Sequence, residues 1–185
     1  MLRHLLTTLK LTLLTLLFCS VIYPALLWGF AQVACPGSAN GHLVKNRAGV
    51  VVGSRQVAQR FTQPRYFHPR PSSVDYNGAG AGGSNLSPAS KALKEKGMER
   101  IQANGATRER PLPVDLATAS GSGLDPHISL AAARFQIPRV AQARGVTPLL
   151  LEKLIQKHLS YPGGFLLREP LVNVLEINLL LDQKP

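Results

Sequence analysis

The sequence contains little cysteine and few acidic residues. Its two cysteines are Cys19 and Cys35. Cys19 falls inside an apolar run that lipid would surround, so a disulfide between the two is not expected, and the folded part needs none. Only 10 Asp and Glu oppose 21 Lys and Arg, which gives a formal net charge of +11. With 16 glycines and 14 prolines, the chain is rich in loops but has the composition of a folded protein.

Aromatic residues are also scarce, at 6% of the chain. The basic residues are scattered, without a long basic block and without the mixture of basic and aromatic residues typical of an RNA-binding sheet. Once Arg3 and Lys10 beside the apolar run are set apart, 19 basic residues face 10 acidic ones, a net charge of +9. The composition indicates a solvated basic surface and argues against nucleic-acid binding.

One long apolar segment dominates the N-terminus. Residues 11–30 read LTLLTLLFCSVIYPALLWGF and carry no charge, and twenty helical residues span a hydrocarbon core of about 30 Å. Arg3 and Lys10 precede this run, which favours a cytoplasmic N-terminus and an exported C-terminal body. A cleaved signal peptide is the alternative. The run is longer than a signal-peptide core, however, and FAQVAC (30–35) offers no clean cleavage site.

These observations divide the chain into four predicted parts. They are a cytoplasmic flank at 1–10, a transmembrane helix at 11–34, a linker at 35–41 and one compact exported domain at 42–185.

The pattern of the body predicts short strands alternating with helices. Segment 42–54 predicts two strands around a turn at 45–49, 55–61 a short helix, 88–105 a helix capped by Ser87 or Ser90, and 112–118 a strand. Asp125 is predicted to cap a helix that runs from Pro126 to Gln136, with a second helix from Pro138 to Gly145. Segment 148–159 predicts a helix with an apolar stripe, and LVNVLEINLLL (171–181) a buried strand. The fold class is therefore α/β or α+β, with a small sheet and several short helices.

The stretch TASGSGLDPHIS (118–129) looks most like a reactive site. Ser120 or Ser122 with His127 suggests a hydrolase, but Ser122 has glycines on both sides, which is not the spacing of a nucleophile elbow. We therefore predict a rigid loop without catalytic residues, whose N–H groups meet an anion or a partner's backbone. The candidate contacts in it are Ser120, Gly121, Ser122, Gly123, Asp125 and His127.

Gly78, Gly80 and Gly83 spell G-x-G-x-x-G, but a proline-rich loop precedes them where a dinucleotide site needs a strand. A Gly/Ala turn is the favoured interpretation, and its N–H groups could still hold an anion. The further candidate contacts are Gly83, Ser84, Asn85 and Arg139. The histidines lie far apart and neither cysteine has a nearby ligand, so a metal site is not predicted.

Four segments carry a resemblance to a known family. QPRYFHPRPSSVDYN (63–77), GGSNLSP (82–88), PVDLATASGSGLDPHISLAAARFQIPRVAQARG (113–145) and EPLVNVLEINLLL (169–181) follow one N-terminal membrane helix. In this order they resemble the C subunit of the Kdp potassium-transporting ATPase, over nearly the whole chain.

The resemblance implies a non-catalytic, single-pass subunit of a bacterial inner-membrane complex for high-affinity potassium import. The implied partners are a potassium-channel-like subunit, a P-type ATPase subunit that hydrolyses ATP, and a small single-helix subunit. The body would lie on the periplasmic side, and membrane lipid would surround the helix. The resemblance also implies a chaperone-like effect on ATP affinity, although the chain would have no cofactor of its own. The alternatives are an anchored serine hydrolase and an anchored periplasmic binding module.

Overall fold

A computed structural model describes residues 1–46, 48–162, 164 and 169–183. The chain forms two compact units, Met1–Leu43 and Val44–Pro185. The first unit is dominated by one long apolar helix, and the second contains short helices and small two-stranded sheets. This mixture confirms the predicted fold class of helices with a small amount of sheet.

The N-terminal helix runs from Leu2 to Ala34, as α1 (Leu2–Leu17), a π-helical turn (Phe18–Ile22) and α2 (Tyr23–Ala34). Its 33 residues, all described, are long and apolar enough to cross a membrane, and none of them is buried. In the π-helical turn the Tyr23 N–H donates to the Phe18 carbonyl, just before Pro24, which has no N–H to donate. The helix begins at Leu2, so the predicted flank at 1–10 is helical too.

A short helix, α3 (Pro36–Ala39), lies within the predicted linker, and a hairpin follows it. Strands β1 (Leu43–Lys45) and β2 (Val51–Ser54) confirm the two predicted strands. In their turn the Asn46 side chain accepts from the N–H groups of Ala48 and Val50, while Arg47 lies outside the described residues. The helix predicted at 55–61 is wrong, because the Ala58 N–H donates to the Leu124 carbonyl of another segment.

Helix α4 (Lys91–Ala103) confirms the helix predicted at 88–105, and the hydroxyl of Ser90 accepts from the Leu93 N–H as its cap. The strand predicted at 112–118 is wrong. Those residues form a single helical turn, α5 (Val114–Ala117), which follows Pro113 and buries Leu116. A proline just before the first turn and Asp115 inside it both favour a helix start.

The centre of the body is a strand pair and a helix. Strand β3 (His127–Ser129) pairs antiparallel with β4 (Leu171–Asn173), with Ile128 opposite Val172. Helix α6 (Leu130–Arg144) follows β3 directly and continues through Pro138 to Gly145, which ends it at φ 66° as predicted. The predicted helix start at Asp125–Pro126 is wrong, because Ser129 is the actual cap and accepts from the Ala132 N–H. The predicted break at Pro138 is also wrong, because α6 contains Pro138.

Helices α7 (Pro148–Lys157) and α8 (Val174–Gln183) complete the core. Helix α7 confirms the prediction, but the strand predicted at 171–181 is wrong beyond Asn173. The buried residues of α8 are Val174, Leu175, Ile177, Asn178 and Leu181, and their spacing is that of one helix face. Asn173 accepts from the Glu176 N–H at the helix start. The fully buried side chains that hold these elements together include Phe67, Ile128, Val140, Leu151, Ile155 and Ile177.

Candidate functional site

Residues 118–126, here called the glycine-packed loop, are fastened to segments far away in sequence. Four backbone hydrogen bonds do this: Gly82 N to Ser122 O at 2.8 Å, Ala58 N to Leu124 O at 2.9 Å, Val174 N to Pro126 O at 3.0 Å, and Ser120 N to Pro71 O at 3.1 Å. Ser120 itself is buried. Main-chain contacts with residues 58, 71, 82 and 174 therefore order this loop.

Glycine is required at two of the predicted contact positions. A Cβ on Gly83 would lie 2.8 Å from the Gly121 carbonyl oxygen, because the two backbones touch there. Gly123 has φ +69°, and a Cβ on it would lie 2.6 Å from Val74 Cγ2 and 2.8 Å from the Gly82 carbonyl oxygen. Such contacts are closer than side-chain carbons tolerate, so both glycines serve close packing between two loops.

The segment around Gly83 has the geometry of a loop rather than of a dinucleotide site. Across residues 78–90, all of which are described, the chain forms no helix, and α4 begins only at Lys91. Ser84 is half-buried, and exposed Asn85 adopts a left-handed φ of 51°. The G-x-G-x-x-G spacing therefore lacks the helix whose N-terminus would hold a pyrophosphate.

Asp125 forms a turn instead of orienting a catalytic imidazole. Its Oδ1 accepts from the His127 N–H at 3.0 Å, and its Oδ2 accepts from Arg70 Nη1 at 3.2 Å. The His127 ring atom Nδ1 is 3.8 Å from Asp125 Oδ1, beyond hydrogen-bond distance. The Ser122 hydroxyl accepts from the Leu124 N–H at 3.1 Å. The side chains of Ser122 and Asp125 thus take part in local turns, and the His127 ring lies beside them.

A cleft of about 450 Å³ lies beside the glycine-packed loop. Its polar lining consists of Arg70, Asp115, Asp125, His127, Ser129 and Glu169. Asp115 accepts from the Ser129 N–H at 2.7 Å, and the buried Nε of Arg70 has no hydrogen-bond partner among the described residues. Within the described part of the chain, no three His, Cys, Asp or Glu side chains are arranged to hold a metal ion.

Two buried amide side chains hold residues 64–70, here called the clamped segment. Asn178 accepts from the Phe67 N–H at 2.8 Å and donates to the Phe67 carbonyl at 2.9 Å. Gln136 makes the same pair of bonds with His68, at 2.8 and 3.1 Å. Sequence reasoning missed both residues. Their only sign in the sequence is an amide residue at a position that the apolar pattern of its helix places in the core.

Arg139, one of the predicted contact residues, extends this clamp inside the body. Its Nη1 donates to the carbonyls of Pro64 and Tyr66 at 2.6 and 3.0 Å, and its Nη2 donates to Gln136 at 2.7 Å. Burial lowers the pKa of the guanidinium from its ordinary value. Burial, and then the neighbouring charge of Arg139, lower the pKa of His68 as well. The hydrogen bonds from Arg139 to the Pro64 and Tyr66 carbonyls therefore help to order residues 64–70, which form neither helix nor strand.

Comparison with known proteins gives one consistent result. A family model described as the K⁺-transporting ATPase, c chain, matches residues 5–183. A potassium-transporting ATPase KdpC subunit of Parvibaculum lavamentivorans is 54% identical over 176 residues, covering 95% of this chain and 94% of that protein. KdpC subunits of Gloeobacter violaceus and Cereibacter sphaeroides are 44% and 46% identical, covering 95% and 98% of this chain and 94% and 98% of theirs.

The N-terminal helix fits a single-pass membrane subunit of a transport complex. The chain is a member of the KdpC family, the C subunits of the potassium-transporting ATPase.

Proposed function

We propose that this chain is a non-catalytic accessory subunit that stabilises the assembly of an ATP-driven potassium import complex. This proposal rests on the hydrogen bonds made by the side chains that suggested a hydrolase. The Ser122 hydroxyl and both Asp125 oxygens are engaged in the local structure of the glycine-packed loop. A loop whose polar groups fix its own shape suits a protein interface better than a reaction.

The proposed orientation places the N-terminus in the cytoplasm and the body in the periplasm of a bacterial cell, with the helix in the inner membrane. Arg3 and Lys10 at the start of the helix support it, because basic residues favour the cytoplasmic side. Trp28 and Tyr23 lie in the C-terminal half of the helix, towards the opposite interface, where aromatic residues are common.

One face of the N-terminal helix supports packing against other membrane helices. Thr8, Thr12 and Thr15 line a shallow groove of about 350 Å³ together with Leu11 and Leu16. Hydroxyl-bearing residues allow membrane helices to approach closely, and the Thr15 hydroxyl already donates to the Leu11 carbonyl of its own helix. We propose the channel-like subunit, the P-type ATPase catalytic subunit and the small single-helix subunit of the same complex as partners.

The proposal also includes an indirect effect of this chain on the ATP affinity of the catalytic subunit. In the proposed orientation the body and cytoplasmic ATP lie on opposite sides of the membrane, so such an effect has to pass through a partner subunit. We therefore assign ATP to the catalytic partner and no nucleotide contact or other cofactor to this chain.

Co-expression tests the assembly role directly. The chain, carrying an affinity tag, should co-purify in detergent with the two large subunits, and its deletion should abolish ATP-driven potassium uptake. A chain that stays alone whatever is co-expressed would contradict the proposal. Labelling of Ser120 or Ser122 by an active-site serine probe would instead support the hydrolase alternative.

Protease treatment of spheroplasts tests the orientation. External protease should digest the body and spare an epitope placed before Arg3. Protection of the body in intact spheroplasts would reverse the proposed topology.

A further inference from the structure

Helix α7 carries more apolar surface than the core covers. Leu151, Leu154 and Ile155 are buried, whereas Leu150 on the same helix is 41% exposed. Its neighbour Leu149 is 63% exposed. The predicted core face of the helix therefore extends beyond the core to the surface of the body.

Leu150 forms part of a groove of about 270 Å³ between α6, α7 and α8. Its apolar lining consists of Ala143, Val146, Leu150, Leu151, Leu154 and Leu181, and its charged lining of Arg65 and Arg144. Here we call it the leucine groove. An apolar depression with charged groups on its lining is the usual form of a site that takes one apolar group beside a polar one.

The two arginines differ in how firmly they are held. Arg144 is only 8% exposed and is fixed by bonds from Nη2 to Asp182 Oδ1 at 2.9 Å and from Nη1 to the Leu181 carbonyl at 3.0 Å. Arg65 is 51% exposed, and its Nη2 is 3.8 Å from the same Asp182 oxygen. Asp182 also accepts from the Tyr66 hydroxyl at 2.8 Å. One carboxylate thus serves two arginines and a tyrosine, which leaves a net positive charge beside Arg65.

We infer that the leucine groove is a docking site for a segment of another subunit of the same complex. That segment places one apolar side chain against Leu150 and a carboxylate against Arg65. The assignment rests on the proposed function, since it needs a partner subunit. It follows from charge complementarity, because a guanidinium pairs well with a carboxylate.

The test uses a photo-crosslinking amino acid introduced into the full chain at Leu150 and, as control, at Met98. Met98 lies on α4, is 50% exposed and is not among the residues that line the groove. In the purified complex, position 150 should crosslink to a partner subunit at a site with Asp or Glu within a few residues. Position 98 should give little of that product.

A charge change then tests the role of Arg65. In an Arg65→Gln background the crosslinking yield from position 150 should fall roughly ten-fold at limiting partner concentration. Lys153→Gln removes the same charge from an exposed position on α7 that does not line the groove, and it should leave the yield unchanged. The thermal unfolding of both variants should match that of the wild type.

The outcomes separate this inference from the proposed function. If the complex assembles but position 150 crosslinks only to lipid, only to a second copy of this chain, or no better than position 98, the groove assignment is wrong and the assembly role stands. An unchanged yield with Arg65→Gln also overturns it. If the chain never co-purifies with partners, both proposals fail.

Discussion

The clamped segment and the glycine-packed loop are both irregular, yet they are held in opposite ways. Residues 64–70 are fixed by polar side chains that reach in from α6 and α8, chiefly Gln136 and Asn178. Residues 118–126 are fixed by backbone hydrogen bonds to other segments, and Gly83 and Gly123 allow the close approach of the loop to residues 74–83 because they have no side chain. The first should therefore fail when polar atoms are removed, and the second when a single carbon is added.

The largest effect is expected from Asn178→Leu. The substitution leaves the buried N–H and carbonyl of Phe67 without partners, and two unsatisfied groups should lower the free energy of unfolding by about 3–5 kcal/mol. Denaturant unfolding of the full chain in detergent, followed by circular dichroism, measures this. Gln156→Leu removes an exposed amide and should cost less than about 0.5 kcal/mol. Equal losses in the two variants would show that no such clamp operates.

Gly123→Ala should have the next largest effect. The added methyl group meets Val74 and the Gly82 carbonyl at a positive φ, which should cost about 2–3 kcal/mol. Gly121→Ala, two residues earlier, is the matched control, because a Cβ there meets open space among the described residues. Its unfolding free energy should stay within about 0.5 kcal/mol of the wild type. The account of the loop fails if the control is as damaging as Gly123→Ala.

Ser129→Ala tests the corrected start of α6. Loss of the hydroxyl that accepts from the Ala132 N–H should lower the free energy of unfolding by about 1 kcal/mol. Thr147→Ala at the start of α7 should cost less, because among the described residues the Thr147 side chain makes no capping bond. A larger loss at Thr147 than at Ser129, in the same denaturant titration, would reverse this assignment.

The smallest effect is a pH dependence of the clamped segment. Burial and then Arg139 lower the pKa of His68 below its ordinary value, so the folded state favours the neutral ring. The stability gained by keeping His68 neutral is fully present above about pH 6.5 and is lost progressively as the pH falls below that value. Thermal unfolding across this range should show a steeper loss for the wild type than for His68→Gln. If the thermal stability of the two proteins falls equally with decreasing pH, protonation of His68 does not contribute to the pH dependence.

What sequence reasoning recovered depended on local signals. The membrane-length helix, the hairpin, α4 with its Ser90 cap and the end of α6 at Gly145 all have their causes within a few residues. Segment 171–181 could not be assigned in this way, because LVNVLEINLLL is apolar enough for a buried strand or a buried helix. Only its packing selects a helix from Val174 onward.

Sequence reasoning singled out the loop and its glycines, and their role as a contact site stays a prediction. Asp125 was assigned to a helix start that lies at Ser129. The clamp could not be foreseen, because Gln136 is 68 residues from His68 and Asn178 is 111 residues from Phe67. A buried amide shows its purpose only when the backbone group that it satisfies is known.

The central claim is that the glycine-packed loop acts through its shape and not through its hydroxyl groups. The most direct measurement is potassium-stimulated ATP hydrolysis by the assembled complex carrying Ser122→Ala or Gly123→Ala. The account predicts activity within about two-fold of wild type for Ser122→Ala and loss of most activity, together with loss of co-purifying subunits, for Gly123→Ala. Abolished activity in Ser122→Ala alongside normal activity in Gly123→Ala would contradict it.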